Sequence, residues 1–298
     1  MARRARQALR GYVESSFTDL SENTSLRFML GDEVYGGDYL GMLPMGGYRA
    51  LLAPLAAGLV LRLSWPVASV SQSDVGVTVT AADGRVETGS HVIVTVPLGV
   101  LQAGIIGFDP PLTGERQAVI ARQGFSSIEK VGLAFKEPFW REDGPPMLIS
   151  CYPGEPNMAR CFFLDSDHAA SPPTLMLFVP AGTAGPAILD RSPQEAVAWA
   201  RNLLADVTAS DIPEPLDSWV SNWRTDPYSR GSVSHVPPGQ DLADMDIMAM
   251  PVRRIQFAGE HTDSRRVGFA DGAMLSGVRE AKRLLRTASV ALTAFTTA

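Results

Sequence analysis

Two stretches of the 298-residue sequence place chemically useful residues beside backbone that can approach a ligand. Arg254-Ile255-Gln256-Phe257-Ala258-Gly259-Glu260 reads as a strand running into a glycine turn, where the missing Cβ lets main chain come close to a bound group. A helix is predicted from about residue 271, through Gly272-Ala273-Met274-Leu275-Ser276-Gly277-Val278-Arg279-Glu280-Ala281. Its unpaired amides and positive dipole end suit a phosphate or another anion. In the second stretch, 124–135, alternation puts Val131, Leu133 and Phe135 on one face of a strand and Lys130, Gly132 and Ala134 on the other. A long amine beside two small residues leaves room for something flat. Taken alone, the first stretch is an ordinary strand–turn–helix, and a lone lysine is ordinarily a solvated one on an edge strand.

The elements that must position these residues can be read from periodicity and turn chemistry. In the last helix Met274, Val278, Ala281 and Leu285 recur at helical spacing and are expected to face the core, with Arg279, Glu280, Lys282 and Arg283 toward water. Ala273 and Gly277, small at i and i+4, suggest tight packing against a sheet. Residues 46–58 read as a short helix that Pro54 shortens or kinks. Val75, Val77 and Val79 alternate with polar or small residues, Asp83-Gly84 marks a tight turn, and 91–96 is an apolar strand suited to burial in a layered sheet. Further strands are predicted at 131–135, 147–152, 160–164 and 174–179. Ser192-Pro193-Gln194-Glu195 opens a helix with a capping serine, a first-turn proline and a glutamate three residues after the cap. Strands followed by helices in two composition zones point to an α/β protein of two interleaved lobes.

Composition narrows the function classes. Hydrophobic residues make up 45% and charged residues 19%, the balance of a folded chain. A net charge of −6 argues against a nucleic-acid partner and is compatible with a cationic substrate. The four histidines show no ligand spacing, so no metal site is read, and Cys151 and Cys161 read as reduced thiols in neighbouring strands. No apolar run approaches the ~20 residues of a membrane helix, and the basic start lacks a signal-peptide core, which implies a cytoplasmic protein with no membrane partner.

Four ordered motifs, spanning about residues 20–286, resemble the flavin-dependent amine oxidases: the monoamine oxidase, polyamine oxidase and lysine-specific histone demethylase family. They are Thr95-Val96-Pro97-Leu98-Gly99-Val100-Leu101, the stretch from Gly124 through Lys130 to Trp140, Trp223-Arg224-Thr225-Asp226-Pro227-Tyr228, and Phe257-Ala258-Gly259-Glu260-His261-Thr262 with Gly268-Phe269-Ala270-Asp271 and Ser276-Gly277-Val278-Arg279-Glu280-Ala281. The resemblance implies FAD as cofactor, held at Val67, Pro97, Leu98, Trp223, Tyr228, Gly259, Glu260, Phe269 and Ala270. Val67 and the strand end before Pro97 would lie at the adenosine half, Gly259-Glu260 at the pyrophosphate and ribityl chain, and Phe269 and Ala270 beside the isoalloxazine. Lys130 matches the lysine that holds a water against flavin N5 and assists reoxidation. Phe269 and Trp223 would shape the amine pocket; where many relatives carry a second aromatic wall, Val233 stands here.

The implied reaction takes a hydride equivalent from the carbon beside an amine nitrogen onto flavin, followed by imine hydrolysis and reoxidation by O2 to peroxide. Nowhere does the sequence contain a Gly-x-Gly-x-x-Gly on a strand–turn–helix, the element that normally cradles a dinucleotide pyrophosphate. The FAD-binding Rossmann-like lobe is therefore expected to be incomplete, and the chain to be the C-terminal portion of a truncated or split enzyme. The alternative is an inactive remnant or accessory chain that needs a separate N-terminal FAD-binding fragment. The expected division is 1–39 substrate-lobe helical part, 40–127 middle FAD-binding part, 128–240 substrate lobe, 241–286 C-terminal FAD-binding part and 287–298 tail.

Overall fold

The computed structural model describes residues 25, 46–141, 148–151, 161–166, 171–180 and 190–296. The expected helical part at 1–39 lies, but for Ser25, outside the described residues. In chain order the elements are α1 (Gly47–Ala56), β1 (Val67–Gln72), β2 (Val77–Ala81), β3 (Val86–Gly89), β4 (Val92–Val94), α2 (Leu98–Gln102), β5 (Gly107–Asp109), α3 (Gly114–Arg122), β6 (Gly124–Ser126) and β7 (Ile128–Ala134). They continue with β8 (Leu148–Cys151), β9 (Cys161–Asp165), β10 (Thr174–Pro180), α4 (Pro193–Thr208), β11 (Asp217–Val220), β12 (Val233–His235), α5 (Ala243–Ala249), β13 (Ile255–Phe257), a 3-10 turn (Glu260–Thr262) and α6 (Ala270–Thr296). The result is an α/β fold of mixed helices and sheets, and its described residues fall into two compact units. Among the described residues no helix is long and apolar enough to cross a membrane.

The first unit takes in the described residues of Gly36–Leu61 and Ser126–Thr225. Its antiparallel sheet runs β11-β7-β10-β9-β8. Period-2 alternation on β7 buries Val131 and Leu133, and Phe135 just beyond, in a core completed by Phe163, Leu175 and Leu177. Ala200, Leu203 and Leu204 of α4 close the same core. The α4 start has the expected reciprocal cap between Ser192 and Glu195. Cys151 and Cys161 do lie opposite one another on neighbouring strands. Because β7 sits between β11 and β10, Lys130 is not on a sheet edge.

The second unit takes in Ser25 and the described residues of Arg62–Phe125 and Asp226–Ala298. One sheet runs β3-β2-β1-β5, with the Asp83-Gly84 turn joining β2 to β3. A separate parallel pair joins β4 to β13, and β6 pairs with β12. Val70, Leu98, Val119, Ile255 and Phe257 form its core.

Helix α6 departs from the sequence reading. Glu280 is fully buried at 0% exposure, whereas Met274, Val278 and Leu285 are 58%, 42% and 67% exposed. The inward row is Gly272, Ser276 and Glu280 at i, i+4 and i+8. The reason is hydrogen-bond demand: the strand end and the turn beneath the helix present the Phe257 and Thr262 carbonyls, which need donors, and Arg279 supplies them. Nor is Gly277 a tight packing point, since a Cβ there would meet open space; the close approach is at Gly272, which backs onto the Arg266 main chain. Past Arg286, where a separate tail was expected, the backbone stays helical to Thr296.

Candidate cofactor and amine site

The second unit brings together two motifs that lie far apart in the sequence, 95–101 and 257–262. In the β4–β13 pair Val94 lies opposite Phe257, and the Ala258 N–H donates to the Val94 carbonyl at 3.0 Å. Both strands therefore point their carboxyl ends the same way, one toward Pro97 at the cap of α2 and the other toward Gly259. The carboxyl ends of parallel strands are where open α/β sheets bind ligands. Leu98 is fully buried in the core of this unit, and Val67, at the start of β1, packs against the same core.

Gly259 has φ 139° and ψ 162°, a region that only glycine adopts readily, and a Cβ here would run into the His261 imidazole. Its N–H donates to Ser276 Oγ at 2.8 Å, which ties the strand end to α6. The Glu260 carboxylate accepts from Ser234 Oγ at 2.7 Å and from the Gly268 N–H at 2.6 Å, so it braces the loop that leads to Phe269. Burial pushes its pKa above the usual carboxylate value, against the lowering effect of those hydrogen bonds. Gly268, the residue before Phe269, backs onto Val233, while the Arg266 guanidinium lies 4.2 Å from the Phe269 ring centroid. Ala270 is exposed at the first turn of α6. Tyr228 is exposed in this unit, its N–H held by Asp226 Oδ1 at 2.7 Å.

His261 beside this turn is buried, and burial followed by the charge of Arg279 lowers its pKa from 6.5 to about 4. A histidine neutral in the fold but protonated in the unfolded chain stabilises fully above pH 6.5 and loses that contribution as pH falls toward about 4. The depression corresponds to about 3 kcal/mol. Glu260, an acid with a raised value, acts with the opposite sign: its penalty grows as pH rises above its unfolded value. Denaturant unfolding between pH 4 and 7 should therefore show a stability slope that flattens in His261→Gln; an unchanged slope would assign it elsewhere.

The first unit holds Lys130 and Trp223. Lys130 is half-buried, its Nζ 5.0 Å from the ring centroid of Phe178, the residue opposite it on β10. Desolvation lowers its pKa, and the neighbouring Glu129 charge works against that. Its N–H donates to Ser221 Oγ at 2.7 Å and its carbonyl accepts from the Ser221 N–H at 2.9 Å. Trp223, an exposed indole, follows two residues later. The room beside Gly132 is filled by this unit's own Trp219, whose indole occupies the place a Cβ would take.

Several functional positions were missed in the sequence. Trp219 was given no role, yet its register opposite Gly132 decides what covers that face. Ser234, Ser276 and Arg279 hold the Gly259-Glu260 turn, and the signal for Ser276 was the row of small and polar residues Gly272, Ser276 and Glu280.

The family model for flavin containing amine oxidoreductases matches residues 1–285, and the chain belongs to that family. It is 36% identical over 268 residues to Lysine-specific histone demethylase 1 homolog 3 of Arabidopsis thaliana, covering 85% of this chain and 16% of that protein. It is 32% identical over 277 residues to Polyamine oxidase 4 of Oryza sativa subsp. japonica, covering 92% of this chain and 55% of that one. Among solved structures, cyclohexylamine oxidase from Brevibacterium oxydans IH-35A superposes with a TM-score of 0.77 at 21% identity, over 95% of this chain and 64% of that chain. The chain thus spans less than two thirds of each of these proteins. FAD is the cofactor of the family, and the parallel strand ends with the side-chain-free Gly259 between them and α6 fit a dinucleotide.

Proposed function

We propose that this chain carries the amine-oxidising part of an FAD-dependent amine oxidase. The observation that carries the reading is the convergence of 95–101 and 257–262 at the carboxyl ends of β4 and β13. Bound FAD would supply the two-electron acceptor that is later reoxidised by O2. Pro97, Gly259 and Glu260 would hold it, the last through the loop it braces, with Val67, Trp223, Tyr228 and Ala270 as further contacts; Leu98, fully buried, would anchor the turn at Pro97 from the core side instead of touching the cofactor. Phe269 and Trp223 would shape the pocket for an uncharged amine. Lys130, desolvated and therefore readier than a surface lysine to give up its proton, would hold a water at its Nζ and support reoxidation. Val233, which lies against Gly268 just before Phe269, would leave one pocket wall aliphatic, which favours an amine that is not gripped between two aromatic rings.

A second reading has a specific observation behind it. The outward apolar row of α6, with the exposed Leu51, Leu52 and Leu55 of α1, gives each unit an uncovered apolar surface. Such surfaces suit a partner segment bearing the glycine fingerprint, so the chain would hold FAD only together with that N-terminal fragment.

The absorbance spectrum of the purified chain, desalted after incubation with excess FAD, tests both. Retained flavin bands, and peroxide release on adding cyclohexylamine, putrescine or longer polyamines, support the first reading. A colourless protein that gains flavin when co-expressed with a glycine-fingerprint fragment supports the second. In whichever form binds FAD, Lys130→Met is expected to slow reoxidation by O2 on the order of 10²-fold while anaerobic reduction by amine keeps its rate. Equal reoxidation rates would remove Lys130 from the mechanism.

A further inference from the structure

Glu129 is 3% exposed, a carboxylate inside the first unit immediately before Lys130. Three donors converge on it. Ser221 Oγ donates to Oε2 at 2.5 Å, the Trp223 N–H to the same oxygen at 3.1 Å, and the Arg224 N–H to Oε1 at 2.9 Å. Ser221 Oγ in turn accepts the Lys130 N–H at 2.7 Å. One buried carboxylate therefore joins the strand bearing Lys130 to the turn bearing Trp223. The charged side chains on that turn do not compete for it, because Arg224 pairs with Asp190. From β10 the group facing Lys130 is the uncharged Phe178 ring, and on the other side β11 ends with Val220 opposite Val131, followed by the uncharged Ser221, whose N–H donates to the Lys130 carbonyl.

We propose that Glu129 is a positioning residue for amine oxidation: its buried carboxylate fixes Trp223 and Lys130 to one another, and its charge acts on the Lys130 ammonium. That this matters for catalysis rests on the function proposed above; the link between the residues does not. A neutral glutamine at 129 would turn an amide N–H toward one of the three donors and would withdraw the charge that opposes the desolvation of Lys130.

The test needs neither FAD nor an amine. The chain has three lysines, Lys130, Lys136 and Lys282, and five tryptophans, so both residue types can be followed singly by NMR. With 13C,15N-lysine, assigned through Lys136→Arg and Lys282→Arg, the Lys130 Nζ resonance should titrate below the other two. In Glu129→Gln its midpoint should fall further, with the other two lysines as internal references. With 5-fluorotryptophan, the Trp223 signal should shift in both Glu129→Gln and Ser221→Ala, but Ser221→Ala, which keeps the charge, should leave the Lys130 midpoint in place. A purely structural role for Glu129 would move Trp223 and not Lys130. The proposal is overturned if the Lys130 midpoint is the same in Glu129→Gln and the parent. Should Glu129→Gln not fold, Ser221→Ala decides: an unmoved Trp223 resonance rejects the clamp. A chain that stays colourless and inactive even with a glycine-fingerprint fragment would reject the oxidase reading and leave these shifts as they are.

Discussion

Arg279→Ala is expected to destabilise the second unit by about 3 kcal/mol. The Arg279 guanidinium donates to the fully buried Glu280 at 2.6 Å, to the Thr262 and Phe257 carbonyls at 2.9 and 3.0 Å, and to Thr262 Oγ1 at 3.1 Å. Alanine would leave a buried carboxylate with Arg283, 3.0 Å away, as its remaining partner and would strip two carbonyls of a donor. Truncating one partner of a buried pair typically costs about 3–5 kcal/mol, and the remaining Arg283 places this case at the lower end. Guanidinium unfolding followed by circular dichroism measures the loss. Arg279→Ala/Glu280→Leu should lose less than the two single variants added together, because the uncompensated charge is gone. Strict additivity would mean that the pair contributes nothing beyond its separate contacts. The consequence for function is local, since the same guanidinium holds both ends of the turn that contains Gly259.

The strands and the α4 helix were legible in the sequence because their signals are local. Alternation at 131–135, the Asp83-Gly84 turn and the Ser192–Glu195 cap each act within a few residues, and each forms as read. The motif at 254–262 also announced a strand and a glycine turn, and β13 and Gly259 supply them. Helix α6 was misread because a periodic stripe reports two faces without saying which is covered. Its buried face is chosen by strand-end carbonyls that no local pattern shows. Glu129 escaped notice for a related reason. A glutamate in an alternating strand looks like the solvent side, and only the return of the chain 92 residues later brings Ser221, Trp223 and Arg224 to its oxygens. The room beside Gly132 was correctly inferred, but its occupant comes from β11, whose register a single sequence does not specify.

Gly259→Ala should abolish FAD retention, in the chain alone or with a partner fragment, and should lower the stability of the second unit by several kcal/mol. Two costs add. At φ 139° and ψ 162° an alanine is strained by about 1–3 kcal/mol. Its Cβ would also run into the buried His261 ring, which has no free space to retreat into. Relieving either cost rotates the Gly259 N–H away from Ser276 Oγ and moves Glu260, so the loop braced through Gly268 shifts with it. Gly277→Ala is the matched control. A Cβ at 277 meets nothing within 4 Å, and alanine in a helix interior is favoured over glycine by about 1 kcal/mol, so this change should stabilise and keep FAD. Unfolding curves and flavin absorbance for the pair separate two roles for the turn. If Gly259→Ala loses stability yet keeps its flavin, the turn is a structural joint and the cofactor is held elsewhere; loss of both, with Gly277→Ala intact, ties the strained glycine to the dinucleotide.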